Sequence, residues 1–208
     1  MVSTLLAFVM ALSANVPTAA AVHEVPVGRV AVEIVTANGS GCPAGTTEVE
    51  VAADNSEFAL IHRNYVARVG VGAGATDLRK NCQLAVNVKV PAGFTYGIIR
   101  ADYRGRISLQ PGAQAWQGAN YYFQGDSATA RRVHPFQGPL HDDWATSDTV
   151  DPGAVVYAPC GEQRYLNINT QLRVSAGTSN PQTTASWIAM DSPDRNPNNR
   201  YRFAWKRC

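Results

Sequence analysis

The sequence predicts an all-β protein, an antiparallel β-sandwich of jelly-roll type with two disulfides. Beyond residue 21, apolar and polar side chains alternate with period two and helical periodicity is hard to find. Short alternating runs are separated by turn clusters such as Asn38-Gly39-Ser40-Gly41, Pro91-Ala92-Gly93 and Asn196-Pro197-Asn198-Asn199, a spacing typical of sandwiches. Four cysteines, Cys42, Cys82, Cys160 and Cys208, all follow residue 21.

Residues 1–21 read as a cleaved export signal: an apolar stretch from Leu5 to Val16, Pro17, then Ala19-Ala20-Ala21. Its start, Met1-Val2-Ser3-Thr4, lacks the usual Lys or Arg. The apolar stretch is about a dozen residues, short of the ~20 a membrane helix needs, so no membrane span is expected. Residues 22–208 suit one domain, expected to be a secreted monomer. In an oxidising compartment the cysteines read as two disulfides, for which three pairings exist. Cys42 with Cys82 and Cys160 with Cys208 is favoured, because each closes a loop of moderate length within one half of the chain. No Cys-x-x-Cys or Cys/His spacing supports a zinc site. The formal charge of +2 gives no reason to expect nucleic acid as a partner.

The clearest strands are Leu84–Val90, with Leu84, Val86, Val88 and Val90 on one face, and Tyr165–Val174, with Leu166, Ile168, Leu172 and Val174 opposite Asn167, Asn169, Gln171 and Arg173. Further strands are expected at Arg29–Thr36, Thr47–Ala53, Glu57–His62, Tyr65–Val71, Thr95–Leu109, Ala119–Phe123, Ala130–Phe136, Ala154–Tyr157, Ser186–Met190 and Tyr201–Trp205. Trp187, Tyr201, Phe203 and Trp205 are assigned to the core by alternation. So is His62, which shares parity with Phe58 and Leu60.

Several ordered motifs run through the chain: Gly39-Ser40-Gly41-Cys42-Pro43-Ala44-Gly45, Arg79-Lys80-Asn81-Cys82-Gln83-Leu84, Ala101-Asp102-Tyr103-Arg104-Gly105, Asn120-Tyr121-Tyr122-Phe123, and Cys160-Gly161-Glu162 followed by Leu166-Asn167-Ile168-Asn169. Together they resemble a family of small secreted proteins of actinobacteria and filamentous fungi, domain of unknown function family 4360. The resemblance implies export, four cysteines and a β-sandwich, and carries over no catalytic or binding residue.

Four constellations are candidates for chemistry. Arg100, Asp102, Arg104 and Arg106 share one strand face, where guanidinium forks can grip a carboxylate or phosphate; the same pattern also makes an ion-paired, solvated face. His134, His141, Asp142 and Asp143 fall in a stretch that reads as a loop and offer metal or acid–base groups, although carboxylates in turns are commonly caps. Cleavage after Ala20 would leave His23 as third residue of a free amino terminus, a square-planar copper(II) arrangement; otherwise no cofactor is expected. Trp116, Tyr122 and Trp144 with Asn167 and Asn169 can form a glycan platform, since sugar rings stack on aromatic faces and amides bond hydroxyls. No Gly-x-Ser-x-Gly elbow, His-Glu-x-x-His helix or phosphate-binding glycine loop occurs. The expected activity is therefore non-catalytic binding of a polysaccharide or an extracellular protein. A secreted hydrolase or copper-dependent enzyme, and a structural protein of the cell envelope, are the alternatives. Asn38-Gly39-Ser40 is a glycosylation acceptor in a eukaryotic source.

Overall fold

The computed structural model describes residues 24–127, 131–190 and 198–208. The export signal and His23 lie outside the described residues. Twelve strands occur among those described: β1 Ala31–Asn38, β2 Thr47–Val51, β3 Glu57–His62, β4 Val66–Gly70, β5 Arg79–Lys89, β6 Phe94–Leu109, β7 Gln114–Phe123, β8 Arg132–Gln137, β9 Leu140–Thr149, β10 Leu166–Ser175, β11 Ala185–Ala189 and β12 Asn199–Arg207. They pair antiparallel into two sheets. The smaller runs β1-β5-β10-β7-β8; the larger runs β2-β3-β12-β6-β11-β4, with β9 on the other side of β6.

The expected alternation sets which residues meet between the sheets. Leu84, Val86 and Val88 of β5 and Leu166, Ile168, Leu172 and Val174 of β10 line the inner face of the smaller sheet. Phe58, Leu60, Tyr96, Ile98, Ile107, Tyr201 and Phe203 line that of the larger. Burying side chains of this size stabilises by roughly 1.5–3 kcal/mol each before the entropy cost of ordering them. Phe58 stacks on its cross-strand neighbour Tyr201 within the larger sheet at 5.0 Å, and Tyr96 meets Phe123 of the opposing sheet edge-on at 5.3 Å, joining the layers. The disulfides are Cys42–Cys82 and Cys160–Cys208, as favoured from loop lengths.

Several sequence expectations are corrected. The stretch from His134 to Trp144, expected as a loop, is the end of β8, a corner at Gly138-Pro139 and the start of β9, so it passes from one sheet to the other. The strand expected at Ala154–Tyr157 is replaced by a 3-10 turn, Pro152–Ala154, and a single bridge between Tyr157 and Gly97. Register slips between Arg202 and Phe203, because β6 carries one extra residue there. Ile98 therefore faces the core and Ile99 is left half-exposed. Trp187 is not core: it pairs with Arg68 and Ser108 and is half-buried, while its neighbour Ile188 is fully inside.

His62 is inward as expected, but only one of its nitrogens is satisfied. Nδ1 lies 3.1 Å from Thr47 Oγ1, the ring meets Tyr65 edge-on, and Nε2 has no partner among the described residues. Burial pulls the imidazole from its usual 6.5 down to about 4. The unfolded chain thus takes up a proton in this range that the folded one refuses. Stability from the neutral ring is complete above pH 6.5 and falls as pH drops toward 4, by about 3 kcal/mol in all. Urea unfolding is expected to show that decline, and His62→Gln to flatten it; an unchanged pH slope in the variant would assign the decline to other groups.

Candidate functional site

The outer face of the smaller sheet is assembled from strands whose alternation turns the apolar residues inward and leaves polar ones outside. On β10 the outward residues are Asn167, Asn169, Gln171 and Arg173. Pairing sets Asn169 against Gln83 of β5 and Asn120 of β7, with Asn38 of β1 beyond Gln83, so four amides cross the sheet in one row. At the usual strand spacing that row is about 14 Å long. The next row holds Asn81, Gln171 and Gly118, and the one after it Arg79, Arg173 and Trp116. On the other side of the amide row stand Ala85, Asn167 and Tyr122. Trp116 and Tyr122 lie six residues apart on β7, both outward and half-buried, about 20 Å from one another.

A depression of about 190 Å³ sits at the centre, with Asn81, Gln83, Gly118, Asn120, Asn169 and Gln171 among its lining and Arg79 and Arg131 at its rim. Gln83, Asn120, Asn167 and Asn169 form no side-chain hydrogen bond among the described residues, which leaves their amides to outside partners. Arg131 reaches across the face: its guanidinium lies 4.5 Å from the centre of the Trp116 ring and donates to Gln171 Oε1. Gly118 makes that possible, since a methyl there would crowd Arg131 at 3.1 Å and the Arg132 carbonyl at 3.2 Å. Two larger concavities lie elsewhere: one of about 670 Å³ between β1 and β2, lined mainly by Val and Ala, and one of about 750 Å³ beside Cys160–Cys208, where Lys89, Glu162, Gln163 and Arg164 line an open surface.

The structure thus brings together four of the five residues expected to form a glycan platform. The fifth, Trp144, is a correction: it is buried at the β6–β9 joint and donates its indole N–H to the carbonyls of Arg106 and Ala189 at 3.2 and 3.1 Å. Sequence reasoning missed Gln83, Asn120, Arg79 and Arg131. The parity of β5 and β7 carries the signal for the first three: Asn120 shares the parity of Tyr122 within the expected strand, whereas Arg79 and Gln83 precede Leu84, where the alternation of β5 becomes legible.

Arg100, Asp102, Arg104 and Arg106 lie on the outer face of the larger sheet. There Arg100 Nε donates to both Asp102 oxygens at 2.9 and 2.8 Å, and the Ser147 hydroxyl donates to the same carboxylate. The guanidinium beside it holds the Asp102 carboxyl below the usual carboxylate range. Arg106 stands opposite Asp143, and Asp102 opposite Arg200, so charges on this face alternate in sign.

His134, His141, Asp142 and Asp143 are dispersed. His141 and Asp143 are on the outer face of β9, the Asp143 N–H bonds Asp142 Oδ1 at 2.8 Å, and His134 belongs to the other sheet. Among the described residues no three His, Cys, Asp or Glu side chains come together as a metal set. His134 has a different partner: its Nε2 lies 2.8 Å from Oδ1 of Asp148, a carboxylate enclosed between the sheets, so the pair ties β8 to β9. Burial and, next, the Asp148 carboxylate push the nearby Tyr121 phenol up to about 12. Burial likewise raises Tyr103 and Tyr201 well above the ordinary phenol value.

Fold and disulfides define an extracellular, disulfide-braced β-sandwich protein whose smaller sheet presents an amide-rich face to solvent. Residues 28–208 match the family described as Domain of unknown function (DUF4360), and the chain belongs to that family. It is 34% identical over 174 residues to a protein of Arthroderma benhamiae named "Uncharacterized secreted protein", covering 84% of this chain and 70% of that one. Among solved structures, the enzymatically active domain of bacteriophage CBA120 tailspike protein 4 aligns with 81% of this chain at 15% identity and a TM-score of 0.29. This chain spans only 19% of that one, and the likeness carries no argument about fold or activity.

Proposed function

We propose that this secreted protein is a non-catalytic glycan-binding module whose binding surface is the outer face of the β1-β5-β10-β7-β8 sheet. The observation that supports it best is the crossing of two patterns. Amides from four strands form a row across the face, and Trp116 and Tyr122 flank that row along β7. Sugar hydroxyls alternate as donors and acceptors, which carboxamides match, and the apolar faces of sugar rings stack on aromatic rings. A rigid sheet holds both sets in place, so little ordering entropy is lost on binding. The distance between the aromatics suits a linear glycan of several residues.

The test is co-sedimentation of the mature protein with insoluble chitin, cellulose, β-glucan and peptidoglycan. Retention on at least one polymer is expected, with Trp116→Ala and Tyr122→Ala each weakening it roughly tenfold. Arg104→Gln on the opposite sheet should leave it unchanged. Retention on none of the four, or retention indifferent to both aromatic substitutions, would remove the glycan reading.

A further inference from the structure

At the Trp116 end of the amide face, charge is one-sided. Arg173 of β10 stands directly opposite Arg79 of β5 and, on its other flank, opposite Trp116 of β7. Arg131 lies over that same indole and reaches Gln171 in the adjoining row. All three arginines are exposed, and among the described residues none has a carboxylate partner. Several other cations meet acids: Lys89 holds Glu33 at 2.6 Å on the same sheet, and Arg100 holds Asp102 on the other. Like charges placed directly across two strands oppose their pairing. A sequence that keeps such a pair, with a third guanidinium beside it, breaks a local rule, and such breaks concentrate where a ligand supplies the missing partner.

We infer that Arg79, Arg173 and Arg131 form an anion subsite on this face, so that the ligand is a linear polysaccharide bearing carboxylate or sulfate groups. The inference rests on the glycan reading above. The central depression places the two kinds of recognition side by side, with Arg79 and Arg131 at its rim and amides across its floor. Guanidinium forks match the paired oxygens of a carboxylate or sulfate, and the amides take the hydroxyls of the intervening sugar. Trp116, held against Arg131, adds a stacking surface at the same end. The Tyr122 end offers the neutral amides Asn87 and Gln163, which bond each other at 2.7 Å. Glu33, opposite Asn87, is matched by Lys89, so positive charge without a carboxylate partner is concentrated at the Trp116 end.

The test measures affinity of the whole secreted protein for polygalacturonate, dextran sulfate and a neutral soluble β-glucan, at low and high salt. Binding to one anionic polymer at least tenfold tighter than to β-glucan is expected, weakening as salt screens the arginines. The preference between polygalacturonate and dextran sulfate identifies the anion. Arg79→Gln with Arg173→Gln should reduce anionic binding roughly tenfold, bring it near the neutral level, and leave the melting temperature equal or higher. Trp116→Ala should weaken the same binding. Equal affinity for β-glucan, unaffected by the arginine substitutions, would overturn the anion subsite while leaving the glycan reading intact. Anionic binding that survives the double substitution would place the subsite elsewhere and also overturn it. Equal capture of single-stranded DNA, insensitive to Trp116→Ala, would reduce the cluster to general polyanion attraction. Binding to none of the polymers would remove both readings together.

Discussion

Trp144→Ala is expected to lower the unfolding free energy by about 3–5 kcal/mol, while Trp116→Ala changes it by less than about 1 kcal/mol. The two indoles look equivalent in the sequence, but their surroundings differ. Trp144 is 5% exposed, packs against Phe136 at 5.5 Å between ring centres, and bonds two backbone carbonyls from different strands. Alanine there would leave a cavity and remove the donor that both carbonyls share. The joint is tight on its other side too. A side chain on Gly105, directly opposite, would meet the Ala189 carbonyl at 1.8 Å and the Trp144 ring at 3.0 Å. Urea unfolding of both variants, with the slope checked for constancy, measures the contrast. A Trp144 variant as stable as the Trp116 variant would mean that the indole is a surface group after all.

The disulfides are expected to behave unequally. Both sulfurs of Cys42–Cys82 are buried in the core, whereas Cys160 and Cys208 are exposed at one end of the sandwich. Their sequence separations, 40 and 48, give similar loop-entropy contributions of about 4 kcal/mol each. Access then decides the order of reduction, because exchange needs a thiolate to reach the sulfur. Under native conditions a mild thiol followed by alkylation should label Cys160 and Cys208 while Cys42 and Cys82 stay blocked until the protein unfolds. Replacing Cys42 and Cys82 by alanine should cost at least about 4 kcal/mol, since it also empties core volume. Labelling of all four cysteines at one rate in native buffer would contradict this ordering.

Where alternation is clean, as in β5 from Leu84 onward and in β10, strand, face and burial were all legible in the sequence, and Asn167 and Asn169 were placed outward correctly. β9 was not legible, because its inward positions include Thr146 and Asp148 beside Trp144. A buried carboxylate imitates a turn residue until its partner is known, and that partner, His134, comes from a strand of the other sheet. Trp187 misled for the converse reason: an aromatic residue in a short strand was taken as core, although its two neighbours, Ser186 and Ile188, are the ones inside.

Period-two patterning is a property of consecutive residues, so the amino-acid order alone was enough for the fold class, the outward parity of β10 and the presence of two disulfides. Which strands lie side by side is set by the burial of all the inward faces at once, and no short stretch of sequence contains it. The amide row joins Asn38, Gln83, Asn120 and Asn169, and the arginine cluster joins Arg79, Arg131 and Arg173. Each set comes from distant parts of the chain. They become neighbours because strand pairing brings them within about 5 Å per strand, and that proximity turns separate polar residues into one surface.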